Sequence, residues 1–431
     1  MTTPHILIAG GGYVGMYTAL GLRRRLRAGE ARVTLVDPRP NMTYQPFLPE
    51  AAAGSLEPRH VVVPLRRTLK GTDVVNGRIV GIDHANRVAT IEPAEGATYQ
   101  VAYDILVSAL GSVSRTLPVP GLADHAIGFK QIEEAISLRN RVLDRLDAAS
   151  STTDPDLRRR ALNFVFVGGG YAGVEAMAEL EDMAKYATRY YDRIEPGDLR
   201  FVLVEATGRI LPEVGEDMGR YTLKVLRDRG IDIRLNTRLE SCVGGHVVLS
   251  DGEEFDSDVI VWTAGVKANP VLEKTDLPLD SAGRVRTLPN LTVEGVPDAF
   301  AAGDSAAVPD LTNPGQLTSP SAQHAVRQAR LLAANLVHYL RGEPLKDYEH
   351  KYAGSVASLG LHQGVAQVYG IKLKGWPAWF MHRTYHMSRM PTLNKKIRVV
   401  LDWTLALFFR REVVSLGSLQ RHRDDWERAS R

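Results

Sequence analysis

Two glycine-rich stretches carry the first chemistry legible in this chain of 431 residues. Gly10, Gly12 and Gly15 stand in GGGYVGMY. Gly168, Gly170 and Gly173 repeat the spacing in GGGYAGVE, residues 168–175. Glycines spaced G-x-G-x-x-G allow a tight turn into a helix and let backbone N–H groups approach a pyrophosphate at the helix N-terminus. Each stretch is followed by an apolar run ending in an acid, Asp37 after the first and Glu205 after the second. A carboxylate there accepts hydrogen bonds from ribose hydroxyls. The copies differ two residues beyond the last glycine, where Tyr17 stands in one and Glu175 in the other. An acid in the first turn of a helix gains ~0.3–1 kcal/mol from the helix dipole. The first copy makes its turn without one, so Glu175, expected in that first turn, is a candidate to position a nicotinamide or move a proton.

These residues need elements to hold them. HILIAG and RVTLVD flank the first turn as short buried-strand signals, with a helix between them. NFVFVG and RFVLVE do the same for the second turn, around the long helical run VEAMAELEDMAKYATRYYD. YDILVSALGS (103–112) follows the first unit and SDVIVWTAGV (257–266) the second; each is an acid, an apolar strand and a turn, ending around Gly111 and Gly265. AFAAGDSAAV (299–308) is a further strand, ending in Gly303-Asp304. The pattern predicts an α/β protein with two Rossmann-like dinucleotide-binding domains, the second inserted in the first. The division is 1–115 and 288–345 for the first, 116–287 for the second, and 346–431 for a C-terminal β and helical region. Glu205 favours an unphosphorylated ribose, hence NADH over NADPH, although Arg209 lies close enough in sequence to meet a 2′-phosphate.

Composition excludes several classes. A net charge of +3 gives little pull toward nucleic acid. The single cysteine, Cys242, excludes an internal disulfide, a Cys-x-x-Cys redox pair and a cysteine-rich metal site, and reads as a packing residue. His382 and His386 are spaced i, i+4 but lack an intervening acid and a third ligand, so no metal centre is expected. The N-terminus lacks the pattern of a signal peptide. No apolar run reaches the ~18–20 residues of a membrane span, which points to the cytoplasm or its membrane surface.

With these motifs in view, the sequence resembles the two-dinucleotide-binding-domain flavoproteins. Within them it is similar to the type II NADH:quinone dehydrogenases through QPFLPEAAAG (45–54), PVPGLADHAIGFKQIEEAISLRNRVL (118–143), VWTAGVKANP (261–270) and SPSAQHAVRQA (319–329). The resemblance implies tightly bound FAD, NADH as substrate and a quinone, menaquinone or ubiquinone, as acceptor, in respiratory electron transport without proton pumping. It implies that Gly10, Gly12, Gly15 and Asp37 hold the adenosine half of FAD and that Asp304 holds the ribityl chain. Gly168, Gly170, Gly173 and Glu205 would hold NADH. Gly111, Gly303 and Gly265 are cofactor-binding candidates in the adjoining turns. Glu175 falls on the family's glutamate near the nicotinamide and flavin, and Gln323 on its glutamine at the quinone pocket. The next-to-last glutamine of that motif is Arg327 here. Ser319-Pro320 reads as an N-cap followed by Pro at the first helical position. Disulfide reductases and sulfide:quinone reductases share the fold but depend on cysteine pairs. A soluble reductase for a ferredoxin-like acceptor, or a redox-sensing flavoprotein, is compatible with the motifs.

The C-terminal region has another character. Short strands are expected from 352, then an aromatic segment opening with Trp376, Trp379 and Phe380, then IRVVLDWTLALFFRR. A helix over its apolar part, 397–409, is ~20 Å long at ~1.5 Å per residue, against a hydrocarbon core of ~30 Å. Lys395, Lys396, Arg398, Arg410 and Arg411 bracket it, and Trp403 lies within it. This suits an amphipathic helix lying on an anionic membrane surface, peripheral and on the cytoplasmic side; packing on the body or on a homodimer partner is the competing reading. Asp402 inside the apolar stretch counts against the lipid reading. A homodimer is expected.

Overall fold

The computed structural model describes residues 3–350, 354–409 and 411–415. The chain opens with β1 (His5–Ala9), the first glycine turn, α1 (Tyr13–Arg25) and β2 (Arg32–Asp37). A short helix α2 (Leu48–Ala52) precedes β3 (Asp73–Asp83), β4 (Val88–Pro93), β5 (Tyr99–Ala102) and β6 (Ile105–Ser108). Then come β7 (Ala126–Gly128), α3 (Ile132–Ser151), β8 (Asn163–Val167), the second glycine turn and α4 (Tyr171–Ala187). They lead to β9 (Arg200–Val204), α5 (Glu216–Asp228), β10 (Asp232–Arg234) and β11 (Val259–Trp262). The last part holds β12 (Ala299–Ala301), α6 (Ala322–Leu340), β13 (Gly354–Ser358), β14 (Gly364–Val368), β15 (Ile371–Lys374), α7 (Trp376–Arg389) and α8 (Leu393–Phe408).

Two compact units form from these elements. One comprises Met1–Thr43, Val63–Val113 and Val266–Tyr352; the other Tyr44–Val62, Ser114–Gly265 and Ala353–Arg431. The sequence-based division put 266–287 in the second nucleotide domain and set 346–431 apart. Instead 266–352 belongs to the first unit, and 44–62 and 353–431 to the second.

The first unit is built on a seven-stranded sheet ordered β12-β6-β1-β2-β3-β4-β5. Its β12-β6-β1-β2-β3 part is parallel and its β3-β4-β5 part antiparallel. All five residues of β1 are buried, as expected for a strand covered on both faces. β12 completes this sheet from beyond the inserted segment, as expected from AFAAGDSAAV. The second unit has a five-stranded parallel sheet, β7-β11-β8-β9-β10. Its core holds Val165, Val202, Ile260 and Trp262 with Cys242. An antiparallel sheet, β13-β14-β15, belongs to the same unit and packs on α7.

The two glycine turns match atom for atom. Gly10 N–H donates to Val36 O at 2.8 Å and Gly168 N–H to Val204 O at 2.8 Å. Both glycines have strongly positive φ, +109° and +115°. A Cβ on Gly15 would stand 1.8 Å from Gly10 O, and one on Gly173 2.0 Å from Gly168 O. The third glycine of each motif therefore lets the helix press onto its own turn. Gly15→Ala and Gly173→Ala should each destabilise their unit by about 1–3 kcal/mol through overpacking, measured by urea unfolding; wild-type midpoints would show that the turn can yield.

Candidate functional site

Each glycine loop is gripped by its acid. Gly11 N–H donates to Asp37 Oδ2 at 2.7 Å, and Arg39 N–H to Asp37 Oδ1 at 2.8 Å. In the second unit Gly169 N–H donates to Glu205 Oε2 at 2.6 Å, and Thr207 N–H to Glu205 Oε1 at 2.7 Å. Burial pushes Asp37 above the usual carboxylate range, opposed by the N–H groups of Arg39 and Gly11. Gly12 and Gly170 are the N-caps, both extended; among the described residues no side chain caps either helix and no acid lies in either first turn. A Cβ at Gly12 or Gly170 would meet no atom within 4 Å. A positive helix end with open space in front of it fits a dinucleotide pyrophosphate in each unit. Arg209 is committed elsewhere, donating to the carbonyls of Pro212 and Val214.

Further parts of the first unit close around its turn. Asp304 Oδ2 accepts from Ser112 Oγ at 2.6 Å. Gly303, at φ +75°, donates its N–H to Gln328 Oε1 at 2.7 Å, and Gln328 Nε2 reaches Thr318 Oγ1 at 3.2 Å. Gln328 is fully buried and was missed in the sequence; an amide on the apolar face of α6 was the available signal. Gly111 in this unit and Gly265 in the second each take positive φ in their own turns. Gln323 sits in the first turn of α6, where its carbonyl accepts from Arg327 Nη1 at 3.1 Å. The cap of that helix differs from expectation. Ser321, not Ser319, is the N-cap: it is extended, and its hydroxyl accepts from His324 N–H at 3.2 Å, which leaves Pro320 outside the helix.

Glu175 also stands elsewhere than expected. α4 starts at Tyr171, so Glu175 is its fifth residue and lies in the second turn, where the dipole effect has largely faded. It is 7% exposed, and its Oε1 accepts from Ser358 N–H at 2.8 Å. The same oxygen lies 3.1 Å from His382 Nε2, an ion-pair distance off the line of a good hydrogen bond. One turn on, fully buried Glu179 accepts from Ser358 Oγ at 3.1 Å with Oε1, and its Oε2 meets no partner among the described residues. Burial, reinforced by Glu50, pushes Glu179 up to about 7. Burial alone would push His382 down, but Glu175, Glu50 and Glu179 outweigh it and shift the ring up, toward its charged form. Perturbed groups gathered in one place make this cluster a candidate functional site. His382, read in the sequence only as half of a weak metal pair, is instead the partner of Glu175. The i, i+4 pair Glu175 and Glu179 inside an apolar helical run was the missed signal.

Known proteins share this sequence pattern and fold. Residues 4–329 match the family model described as pyridine nucleotide-disulphide oxidoreductase. A type II NADH:quinone oxidoreductase of Staphylococcus epidermidis is 31% identical over 386 residues, 88% of this chain and 93% of that protein. The chain belongs to the type II NADH:quinone oxidoreductases, within the pyridine nucleotide-disulphide oxidoreductase family. The Mycobacterium tuberculosis type II NADH:quinone oxidoreductase Ndh is 28% identical over 424 residues, 94% of this chain and 88% of that protein. In fold, the chain is similar to NDH2 from Plasmodium falciparum, solved in complex with NADH, with a TM-score of 0.88 at 19% identity over 96% of this chain and all of that one. The larger family takes its name from disulphide chemistry, but this sequence has no pair of cysteines to form an internal disulphide. Its single cysteine, Cys242, is buried in the core of the second unit, and burial pushes its thiol up, away from the reactive thiolate.

Glu179 yields a pH test. In the unfolded chain this carboxyl loses its proton near its ordinary 4.5, whereas the folded protein holds it until about 7. The folded state binds the extra proton between these values, so this group makes stability fall as pH rises through the window. Glu179→Gln should raise the melting temperature relative to wild type more at about pH 8 than at about pH 5; an equal effect at both would show that Glu179 does not titrate in this window.

Proposed function

We propose that the protein is an FAD-dependent oxidoreductase that carries electrons from NADH to a membrane quinone, menaquinone or ubiquinone. The observation that carries this reading is the pair of matched glycine turns, each held by its own acid, of which only the second leads into a helix with a buried carboxylate. In the first unit Gly10, Gly12, Gly15 and Asp37 hold the adenosine half of FAD, with Gly111 and Gly303 in the adjoining turns and Asp304 on the ribityl hydroxyls. In the second, Gly168, Gly170, Gly173, Glu205 and Gly265 receive NADH. Bound FAD supplies acceptance of a hydride equivalent and its release as electrons to the acceptor. Glu205 accepts ribose hydroxyls and repels a 2′-phosphate, and Arg209, held by its carbonyl partners, does not offset that repulsion. NADH is therefore favoured over NADPH. Glu175 positions the nicotinamide end and, with His382, holds a proton near it. Gln323 serves the acceptor side, and Arg327 steadies its backbone carbonyl in place of the glutamine found in the family.

The acceptor being lipid-soluble fits the C-terminal helix. Among the described residues no helix is long and apolar enough to cross a membrane. α8 docks by one edge, with Val399 buried and Asp402 accepting from Glu57 N–H at 3.1 Å and pairing with His60 Nδ1 at 2.6 Å. Asp402 is thereby absorbed by the body of the protein. The rest of the helix exposes Ile397, Leu401, Leu405, Leu407 and Phe408, the last two at 78%. Among the flanking cations Lys395 and Lys396 bond carbonyls of the same unit, and Arg410 lies outside the described residues. We assign this apolar face to the cytoplasmic surface of the membrane and expect a homodimeric enzyme.

The deciding experiment is to purify the protein, look for bound flavin and follow NADH oxidation with menaquinone and ubiquinone analogues. Rapid flavin reduction without reoxidation by either quinone would refute the acceptor. Glu175→Gln should retain FAD and slow NADH oxidation by roughly 10²-fold or more, the usual scale for a lost acid–base group; unchanged turnover in both half-reactions would remove that role. Leu405→Glu combined with Phe408→Glu should lower binding to anionic lipid vesicles by roughly ten-fold or more, since charge replaces buried apolar area, with soluble flavin reduction by NADH intact; undiminished vesicle binding would place the anchor elsewhere.

A further inference from the structure

Glu175 owes its surroundings to more than its own helix. Residue 383 follows His382 on α7, and Arg383 is 9% exposed, with Nη2 2.9 Å from Glu50 Oε2 on α2. That same oxygen accepts the indole N–H of Trp403, on α8, at 2.9 Å. The guanidinium carbon stands 4.0 Å from the ring centroid of Trp379 and 5.0 Å from that of Trp403. A planar cation facing two indoles and ion-paired to a buried carboxylate has one favourable seat, because every other orientation forfeits the ion pair or a ring face. Seating Arg383 fixes the turn of α7 that carries His382, and His382 stands 3.1 Å from Glu175.

We propose that Glu50, Arg383 and Trp403 form a positioning clamp for the Glu175–His382 pair, through which the seating of α8 sets the geometry in which Glu175 meets the nicotinamide. This rests on the assignment of Glu175 to NADH given above. Glu50 from α2 and Glu179 from α4 act on His382 beside Glu175, with His386 one turn along α7; Glu179 in turn faces Asp182 from α4, Arg383 from α7 and Arg411 beyond α8. The clamp offsets the charge of Glu50 with Arg383 and gives the same oxygen a hydrogen bond from Trp403. Loosening it leaves a less compensated carboxylate beside His382, so the clamp acts on the charge state of the pair as well as on its position. A clamp that served only to hold α8 would affect stability and leave the chemistry of Glu175 alone.

The test uses the full chain with FAD bound and reads flavin reduction by NADH as bleaching of flavin absorbance in a stopped-flow instrument across pH. Trp403→Phe keeps a ring and removes the N–H to Glu50; Arg383→Met removes the charge; Arg383→Lys keeps it without the planar fork. Trp403→Phe and Arg383→Met should lower the reduction rate by roughly ten-fold or more, the scale expected from a displaced reacting group, and move the midpoint of its pH profile. Flavin content should stay at the wild-type level, and Arg383→Lys should recover part of the rate. If Arg383→Met does not retain flavin, Trp403→Phe decides by the same two readouts. A loss of melting temperature with rate and pH midpoint unmoved overturns the proposal. Wild-type flavin reduction in Glu175→Gln would instead overturn the role of Glu175 on which the clamp depends.

Discussion

The hydrogen bond from a glycine-loop N–H to the acid closing the second strand is the constraint around which both nucleotide sites are built. A loop with so little side chain would sample many conformations; the carboxylates of Asp37 and Glu205 select one by accepting from Gly11 and Gly169. Charge-assisted bonds of this kind are roughly twice as strong as neutral ones. The parallel pairings of β1 with β2 and of β8 with β9 bring each acid beside its loop, since Ala9 lies opposite Val36 and Val167 opposite Val204. Strand register, glycine spacing and acid position thus depend on one another, and the same solution occurs twice.

The second unit departs from the first in the helix that leaves its loop. Three carboxylates, Glu50, Glu175 and Glu179, are nearly or fully withdrawn from water, with His382 and Arg383 set among them. Removing such groups from water costs several kcal/mol per ion, and well-packed apolar residues would be at least as stable. Each group is instead tied to a specific neighbour: Ser358 bonds both Glu175 and Glu179, and Glu50 joins α7 to α8. Arg229 adds support from behind, bridging Glu181, Asp182 and the carbonyl of Leu359 and so fixing the turn after β13 on α4. A cluster this expensive and this ordered suits a site where charge and proton position matter.

The C-terminal helix reconciles two readings that its composition sets against each other. Its polar residues at one edge, Asp402 and Trp403, satisfy groups in residues 44–62, while its large aliphatic and aromatic residues stay exposed. A helix docked by its polar edge and bare on its apolar one is held by the body and still free to meet lipid. Truncation before α7 would also remove His382 and Arg383 from beside Glu175, so charge placed on the exposed face is the cleaner probe of membrane contact.

The hydrogen bonds by which Asp37 and Glu205 hold their own loops were not read from the sequence, whereas periodicity and glycine spacing sufficed for the two Rossmann-like units and the completing strand at Ala299–Ala301. These features are local or repeat at fixed spacing, so they are written in the order of residues. The cap of α6 at Ser321 and the second-turn position of Glu175 were less legible, because helix starts are decided by which of several neighbouring residues finds a backbone partner. The partnership of Glu175 with His382, the shared oxygen of Glu50 and the grip of Gln328 on Gly303 join residues far apart in the chain, and no spacing rule links them. By itself the sequence determined that the chain carries two glycine-rich turns, each followed by a strand that ends in an acid. Only the tertiary structure decided which buried charges surround Glu175, because burial and partnership depend on what the rest of the chain brings alongside.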